Sequence, residues 1–267
     1  MLKISAVVIS YNAGRSIRRT LESVRGLCVE TLVVDSGSTD STEAICRELG
    51  ATFIRKPWEG YSRQKNFAVE QAAAPWVLSL DADEEVSAEL AGEIRSLDEH
   101  TPYRGFLLPR RNHYFGRVLL HGGQYPDLQL RLFRKDSGRF NDRPLHESVV
   151  LDGPVGRLQG ALEHYSYPTI ADYFEKFHRY TELEAERLFA AGGCRGGAAL
   201  FADLLARPCW KFIRRYFFKL GFLDGVPGLL AAAFGSFTML VSHARCWEKR
   251  LASSHLSGGP GRTPNPD

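Results

Sequence analysis

The sequence predicts an α/β fold built on a mostly parallel sheet. Three apolar runs, at residues 3–10, 31–34 and 76–80, have the length and composition of buried strands. Each run ends in a short polar segment, and helical patterns separate the runs along residues 4–98. This alternation is typical of βαβ units, in which consecutive strands lie parallel.

The starts and ends of the helices in this region are predicted from N-cap residues and from proline. Ser16 is a candidate N-cap for a helix that ends near Val24. Another helix is predicted over residues 61–74, and Pro75 ends it because proline cannot continue a helix. The pattern also predicts a helix after residue 42, strands at 52–54, 105–108 and 128–133, and a charged amphipathic helix at 172–188.

Composition restricts the class of protein. The 267 residues are 44% hydrophobic and 24% charged, which fits one sizeable globular domain with an appendage. The formal charge of +3 is no signature of a polyanion partner, so we expect no nucleic-acid binding. Five scattered cysteines without a Cys-x-x-Cys pair predict neither a disulfide framework nor a zinc site, and they favour a reducing compartment. No secretory signal is expected at the N-terminus.

The third apolar run ends in Asp81-Ala82-Asp83. Two carboxylates at the carboxyl edge of an open α/β sheet, where ligands bind, make a hard oxygen site for Mg²⁺ or Mn²⁺. Such an ion binds phosphates, and a diphosphate leaving group needs its charge neutralised. The alternative is an acidic loop before a helix that Ser87 caps, since acids stabilise a helix start.

Asn12 and Asp35 also lie just past predicted strands, so they can meet Asp83 in one crevice. This placement predicts a nucleotide pocket. The chain has neither the glycine-rich dinucleotide motif nor the P-loop motif, so those two modes of binding are not supported. The alternative for residues 35–42 is ordinary turn and capping chemistry, which small polar residues often serve.

Three segments taken together resemble glycosyltransferase family 2, whose members are inverting enzymes with the GT-A fold. They are residues 7–12 (Val-Val-Ile-Ser-Tyr-Asn), 32–42 and 80–84. Residues 64–68 (Gln-Lys-Asn-Phe-Ala) and 145–147 (Leu-His-Glu) are similar to the branch that contains the lipopolysaccharide core β-1,4-glucosyltransferases.

This resemblance implies a GT-A, Rossmann-like domain that binds a UDP-sugar at the carboxyl edge of the sheet. Asp83 would hold Mg²⁺ or Mn²⁺ against the diphosphate, and Asp81 would contact the ribose or the metal. Many family members carry Asp-Asp where this chain has Asp35-Ser36, so Asp35 would have to supply the contact with uracil. The nucleotide-sugar contacts that the resemblance implies are Ser10, Tyr11, Asn12, Asp35, Ser36, Lys65 and Asp81.

An inverting transfer needs a carboxylate that deprotonates the acceptor hydroxyl, because a neutral sugar alcohol is a poor nucleophile. The resemblance of His146-Glu147 to the His-Glu of the family makes Glu147 the expected base. His146 would orient this base or bind the metal. Asp142 is the second candidate for the base, and the alternative is that Glu147 is a solvated loop acid.

A basic, aromatic-rich segment separates these motifs. Arginine binds phosphate with two parallel hydrogen bonds, and aromatic rings stack on sugars. We therefore expect Arg110, Arg111, His113 and Arg117 to bind an anionic glycan acceptor linked to lipid. Nearby glycines predict a mobile flap, and a solvated basic face is the alternative.

The last third of the chain differs in character. We expect a catalytic domain over residues 1–167, a helical membrane-interface region over 168–250 and a disordered tail over 251–267. Residues 208–219 interleave aromatic and basic side chains, a pattern typical of helices that bind an anionic membrane surface. Residues 226–244 carry no Asp, Glu, Lys or Arg, and the alternative for them is a buried helix of a soluble subdomain.

The hypothesis from the sequence is a metal-dependent inverting glycosyltransferase at the cytoplasmic face of the inner membrane. It would move glucose from UDP-glucose to an inner-core heptose of lipopolysaccharide. Two alternatives stay open. The same fold can transfer another sugar to another lipid-linked or cell-wall acceptor, or the chain can be a non-catalytic module that binds nucleotide sugars.

Overall fold

The structure is a computed structural model that describes residues 1–141 and 148–257, with side chains through residue 253. The chain forms two compact units. Unit 1 consists of Met1–His113 and Gln124–Ser166. Unit 2 consists of Tyr114–Gly123 and the chain from Tyr167 onward, so the segment expected to be a flap belongs to the C-terminal unit.

The first four strands of unit 1 alternate with helices, as the sequence predicts. In chain order the elements are β1 (Ile4–Ser10), α1 (Ile17–Ser23), β2 (Glu30–Asp35), α2 (Thr42–Glu48), β3 (Thr52–Arg55), α3 (Tyr61–Gln71), β4 (Trp76–Asp81), β5 (Glu84–Val86), α4 (Ala88–Ser96), β6 (Gly105–Tyr114), β7 (Arg117–Leu119, in unit 2), β8 (Asp127–Arg134), β9 (Gly138–Phe140), β10 (Val149–Leu151), β11 (Val155–Arg157) and β12 (Leu162–Tyr167).

The main sheet is mixed, with strand order β3-β2-β1-β4-β8-β6-β12-β5. Strands β1 to β4 are parallel, which confirms the predicted α/β class. The other half departs from the predicted parallel arrangement, since β8 runs antiparallel to both β4 and β6, and β5 runs antiparallel to β12. The chain between β6 and β8 contains no crossover helix, and a parallel pair needs one.

Both faces of the parallel strands are covered, which explains their continuous apolar runs. Val8 and Leu78 belong to the hydrophobic cluster on the side of α1 and α4. Val7 and Val77 belong to the cluster on the other side, with α3. Because successive side chains of a strand alternate between faces, the register of these strands also decides where the polar residues at their ends point.

Unit 2 is helical. Its elements after β7 are α5 (Ile170–Ala190), α6 (Gly197–Phe201), a π-helical turn (Ala202–Ala206), α7 (Arg207–Ile213), a second π-helical turn (Arg214–Phe218), a 3₁₀ turn (Gly221–Asp224) and α8 (Gly225–Ser257). A capping box of Thr169 and Asp172 starts α5. Aromatic rings join α5 to α8, with Phe177 stacked on Phe237 at a centroid distance of 5.4 Å.

Helix α8 continues to Ser257, beyond Arg250, where the sequence analysis ended the helical region. Residues 251–257 contain no glycine or proline, so nothing in them breaks the helix before Gly258. The remaining residues of the expected tail lie outside the described residues.

Unit 2 also contains a bond that the sequence analysis did not expect. Cys194 and Cys246 form a disulfide, with their Cα atoms 5.4 Å apart. The two residues are 52 positions apart and belong to no spacing motif. Their pairing depends on the fold, so an odd, scattered set of cysteines was insufficient evidence against a disulfide.

We expect Gly160→Ala to destabilise unit 1. A Cβ on Gly160 would lie 2.4 Å from the backbone N and Cα of Leu90 in α4, and backbone cannot move aside as a flexible side chain can. Such overpacking costs about 1–3 kcal/mol. Gly92→Ala is the control, because this exposed helical position has open space at its Cβ and should gain about 0.5–1 kcal/mol. Urea unfolding measures the free energy of unfolding of the two variants. Equal changes in that free energy for Gly160→Ala and Gly92→Ala would contradict the close packing of Gly160 on α4.

Candidate active site

Asp81, the last residue of β4, lies between two buried cations. Its carboxylate oxygens are 2.8 Å from Lys65 Nζ and 2.6 Å from Arg131 Nη2. Burial by itself raises the pKa of Asp81, but the charges of Arg131 and Lys65 outweigh it and hold that pKa well below the usual range. The carboxylate is therefore ionised at neutral pH, with each oxygen already paired to a cation.

Glu84 extends this pair into a buried charge network. Its side chain is fully buried, and its Oε1 accepts hydrogen bonds from Arg131 at 2.8 Å and Arg110 at 3.2 Å. Its Oε2 accepts from the backbone N–H of Asp81 at 2.9 Å, which fixes the turn after β4. Arg110 is also paired with Asp127 at 2.6 Å. The network contains three carboxylates and three cations, and buried charges need such a balance.

Glu84 and Arg131 were not among the site residues predicted from the sequence. One feature could have indicated that Arg131 is buried. It lies between Leu130 and Leu132, on a strand that has neighbouring strands on both sides. Arginine is rarely buried without an acidic partner. Its partners depend on β8 lying next to β4, which residue spacing does not show.

Asp83 lies beside His164 because β5 pairs with β12. In this antiparallel pair His164 is opposite Glu84, and the N–H of Tyr165 donates to the carbonyl of Asp83 at 3.0 Å. Asp83 Oδ1 is 3.5 Å from His164 Nε2. His164 Nδ1 is 2.7 Å from Asn112 Oδ1, a contact that sets the direction of the ring.

Asp83 and His164 together fit one side of a divalent-cation site. The carboxylate oxygen is the stronger ligand of the two for a hard cation, since Mg²⁺ is usually held by one or two carboxylates with substrate phosphates and water. The imidazole nitrogen is a softer ligand, more typical of transition metals. Within residues 1–141 and 148–253, no three His, Cys, Asp or Glu side chains are grouped closely enough to hold a metal by themselves. Asp81 fits less well as a ligand because both of its oxygens are paired with cations.

Asp35 shapes the loop after β2. It is 1% exposed, and its Oδ2 accepts hydrogen bonds from Ser10 Oγ at 2.7 Å and Ser38 Oγ at 2.5 Å. Its Oδ1 accepts from the backbone N–H groups of Gly37 and Ser38. Asn12, with a positive φ of 47°, joins the same loop, since its Oδ1 accepts from the N–H of Thr39.

The strand register places Asp35 and Asp81 on opposite faces of the sheet. Asp35 is paired with Ser10 on β1, whereas Asp81 is paired with Ile9, and adjacent residues of a strand point to opposite faces. The two Cα positions flank β1 and are thus about 10 Å apart, twice the spacing between strands. Both residues lie at the carboxyl edge of the sheet, but Asp35 points to the opposite face from Lys65 and Asp81, so the expected single crevice does not include the Asp35 side chain.

Ser36, the residue after Asp35, lies on the side of α3. Its Oγ accepts a hydrogen bond from Gln64 Nε2 at 3.2 Å, and the same amide donates to the carbonyl of Lys56 at 3.1 Å. Gln64 is fully buried, and its Oε1 has no hydrogen-bond partner within the described residues. Tyr11, by contrast, is 63% exposed at the end of β1.

The residues expected to bind the acceptor are mostly paired with acids. Arg110 contacts Glu84 and Asp127, as described above. Arg111 forms an ion pair with Glu163, and His113 Nε2 lies 2.7 Å from the same carboxylate. Arg117 is exposed on β7 in unit 2.

The expected base Glu147, its alternative Asp142 and the expected metal ligand His146 lie outside the described residues. Their roles stay predictions.

The sequence model of Glycosyl transferase family 2 matches residues 5–165. The chain belongs to this family. An uncharacterized glycosyltransferase of Rickettsia felis is 31% identical over 269 residues, which cover 96% of this chain and 93% of the relative. The lipopolysaccharide core biosynthesis glycosyltransferase LpsC of Rhizobium meliloti is 29% identical over 258 residues, 93% of each chain. Among solved structures, S. aureus TarS 1-349 in complex with UDP has a TM-score of 0.45 and 16% identity, over 100% of this chain and 95% of that chain.

Membership of family 2 confirms the resemblance seen in the sequence. The matched residues contain β1 to β4 and the network around Asp81. With the mixed α/β sheet, this membership makes the chain a glycosyltransferase of GT-A fold.

We expect Asp81→Asn to destabilise unit 1 by about 3 kcal/mol or more, because it leaves Lys65 and Arg131 short of one buried counter-charge. Thermal unfolding at pH 7 measures this loss. The control Glu85→Gln changes a neighbouring acid that lies 3.8 Å from Arg19 and accepts a hydrogen bond from the Tyr165 hydroxyl at 3.0 Å. Glutamine can still accept that hydrogen bond, so the effect should stay within about 1 kcal/mol.

The same comparison has an expected pH dependence. The folded pKa of Asp81 is depressed, so its stabilisation is complete above the unfolded value of about 3.9 and is lost as the pH falls towards the folded value. The difference in the free energy of unfolding between the wild type and Asp81→Asn should therefore become smaller in strong acid. A difference that is small at pH 7 would contradict the paired-cation arrangement.

Proposed function

We propose that this family 2 enzyme is a metal-dependent inverting hexosyltransferase that moves glucose from UDP-glucose to an inner-core heptose of lipopolysaccharide. The observation that carries the donor site is the placement of Asp81 and Asp83 at the carboxyl edge of the sheet, one paired with two cations and the other beside His164. The acceptor class is supported by the similarity to LpsC, whose name describes lipopolysaccharide core biosynthesis.

In this proposal Asp81 accepts hydrogen bonds from the ribose of the donor. Its charge is already balanced by Lys65 and Arg131, and its side chain is 28% exposed, so a neutral hydroxyl is a better partner for it than a second cation. Ser36 and Gln64 lie on the same side of the sheet and provide polar atoms for the uracil. Asp35 contributes by holding the loop that carries Ser36.

Asp83 and His164 would hold the divalent cation, which as Mg²⁺ or Mn²⁺ supplies a Lewis acid that neutralises the diphosphate leaving group. His146 would join them. Glu147 takes the proton from the acceptor hydroxyl, which makes the oxygen a competent nucleophile for the anomeric carbon. Asp142 is the alternative base. Arg110, Arg111, His113 and Arg117 remain the proposed acceptor contacts, although the first three also stabilise the acids around them.

We place the enzyme on the cytoplasmic face of the inner membrane, bound through unit 2. One helical stretch of the described chain, Gly221–Ser253, is long and apolar enough to cross a membrane, with a mean hydropathy of 1.5 and 28% of its apolar window buried. Large aromatic side chains are exposed just before it, with Trp210 at 57% and Phe218 at 69%. An interfacial position satisfies these side chains and brings the enzyme to a lipid-linked anionic acceptor.

The test is a panel of UDP-sugars with lipopolysaccharide acceptors truncated at the inner core. UDP release and the mass of the product are measured with Mn²⁺ or Mg²⁺. We expect UDP-glucose to support the fastest transfer and the product to have the inverted anomeric configuration. Absence of UDP release with every sugar, metal and acceptor would contradict the proposal.

Variants of the same enzyme separate the roles of the acids. Asp83→Asn should lose metal-dependent binding of UDP, measured by calorimetry. Glu147→Gln should bind UDP as the wild type does but lose about 10²–10⁴-fold in kcat, the usual contribution of a general base. Glu85→Gln is the control and should retain both properties. If Asp142→Asn loses turnover while Glu147→Gln retains it, the base is Asp142.

A further inference from the structure

Unit 2 contains a cavity of about 470 Å³ lined by cations. The wall is formed by α7, by the π-helical turn after it with the following Lys219, by Met239 of α8 and by the loop at residues 122–123. No acidic side chain is among the described residues that line it. The cations are Arg207, Lys211, Arg214, Arg215 and Lys219. A concentration of five positive charges in one cavity contrasts with the net charge of +3 for the whole chain.

Most of these cations form no close ion pair within the described part of the chain, and the charge of Glu184 acts on Lys211 only as a smaller effect that raises its pKa. Arg207 is paired with Asp203 at 2.7 Å, but the other four form no ion pair within residues 1–141 and 148–253. Burial lowers the pKa of Lys211, and the nearby charge of Arg215 lowers it further. Burial also lowers the pKa of Arg215. A bound anion would stabilise both charged side chains.

The loop at residues 122–123 is hydrogen-bonded to two residues that line the cavity. The carbonyl of Gly122 accepts a hydrogen bond from Arg215 Nε at 3.1 Å, and its N–H donates to the carbonyl of Lys219 at 2.8 Å. Gly123 has a φ of 72°, and a Cβ there would lie 2.5 Å from Lys219 Nζ. Glycine thus allows the ammonium group to lie directly against the backbone.

Exposed aromatic rings border the cavity. Trp210 lines it, and its ring lies 5.7 Å from that of Phe218, measured between centroids. These two side chains are 57% and 69% exposed, and Phe217 is 54% exposed. Cations in a cavity with an apolar border match a molecule that has an anionic head and an apolar body.

We propose that this cavity binds the phosphomonoester headgroup of a membrane lipid. A phosphomonoester carries roughly −1.5 to −2 charges near neutral pH and has three acceptor oxygens, whereas a diester carries a single charge. Several unpaired cations in one cavity suit the monoester better. The aromatic border would contact the glycerol or acyl part. This inference concerns binding by unit 2 and does not depend on the transferase reaction proposed above.

The experiment measures binding of the full chain to phosphatidylcholine vesicles that contain either phosphatidic acid, a monoester, or phosphatidylglycerol, a diester, at matched surface potential. We expect a preference for phosphatidic acid on the order of tenfold, equivalent to about 1.4 kcal/mol. Equal binding to the two vesicles at matched potential would overturn the proposal, because it would leave only non-specific attraction.

Two pairs of variants test whether the cavity is responsible. Lys211→Gln should abolish the preference, whereas Lys176→Gln, which removes the same charge from α5, should keep it. Gly123→Ala places a methyl group 2.5 Å from Lys219 Nζ, which displaces that ammonium group from its position in the cavity without a change of charge, and it should also abolish the preference. Gly192→Ala has a similar φ of 67° but open space at its Cβ, so it controls for backbone strain. A preference that survives in both cavity variants would overturn the assignment.

Soluble competitors separate a lipid from free phosphate. Short-chain phosphatidic acid should displace the chain from vesicles at a concentration at least about tenfold lower than inorganic phosphate does, since only the lipid contacts the aromatic border. Equal competition by the two would contradict the lipid part of the proposal.

Discussion

Charge compensation at the end of β4 is the constraint on which the rest of unit 1 depends. Asp81 and Glu84 are acidic groups at the edge of an apolar sheet, and an unpaired buried charge costs several kcal/mol. Lys65 and Arg131 supply the positive charges that balance these acids. Lys65 belongs to α3, which precedes β4 in the sequence, and Arg131 belongs to β8, which follows it. The network therefore joins the parallel half of the sheet to the antiparallel half at the site where the donor is proposed to bind.

Much of unit 1 could be predicted because its signals are local. Each of these signals lies within a few consecutive residues. They are the apolar runs of β1, β2 and β4, the proline after α3 and the Asp-x-Asp at the end of β4. The antiparallel half was not predictable in the same way, since the pairing of β8 with β4 and of β5 with β12 involves residues far apart in the chain. For the same reason Glu84 and Arg131 could not be assigned their partners. The opposite directions of Asp35 and Asp81 depend on a one-residue difference in register, which composition does not encode.

Unit 2 differs from unit 1 in that it exposes aromatic rings next to cations that form no ion pair within the described residues. In water alone neither feature is stabilising, because exposed aromatics lose the hydrophobic contribution and clustered cations repel one another. The lipid surface proposed above would bury the rings and supply anionic headgroups for the cations. The local interleaving of Trp210, Lys211 and Phe218 made this surface readable from the sequence, whereas the cavity behind it depends on the loop at Gly122 and Gly123, nearly a hundred residues earlier.

The central claim is that Asp81 stays paired with Lys65 and Arg131 while Asp83 holds the cation, and a crystal structure with UDP and Mn²⁺ tests it most directly. We expect anomalous density for Mn²⁺ within about 2.3 Å of an Asp83 oxygen, a usual distance for a carboxylate ligand, with both ion pairs of Asp81 intact. Manganese bound to Asp81 with those ion pairs broken, and Asp83 turned away from it, would contradict the account.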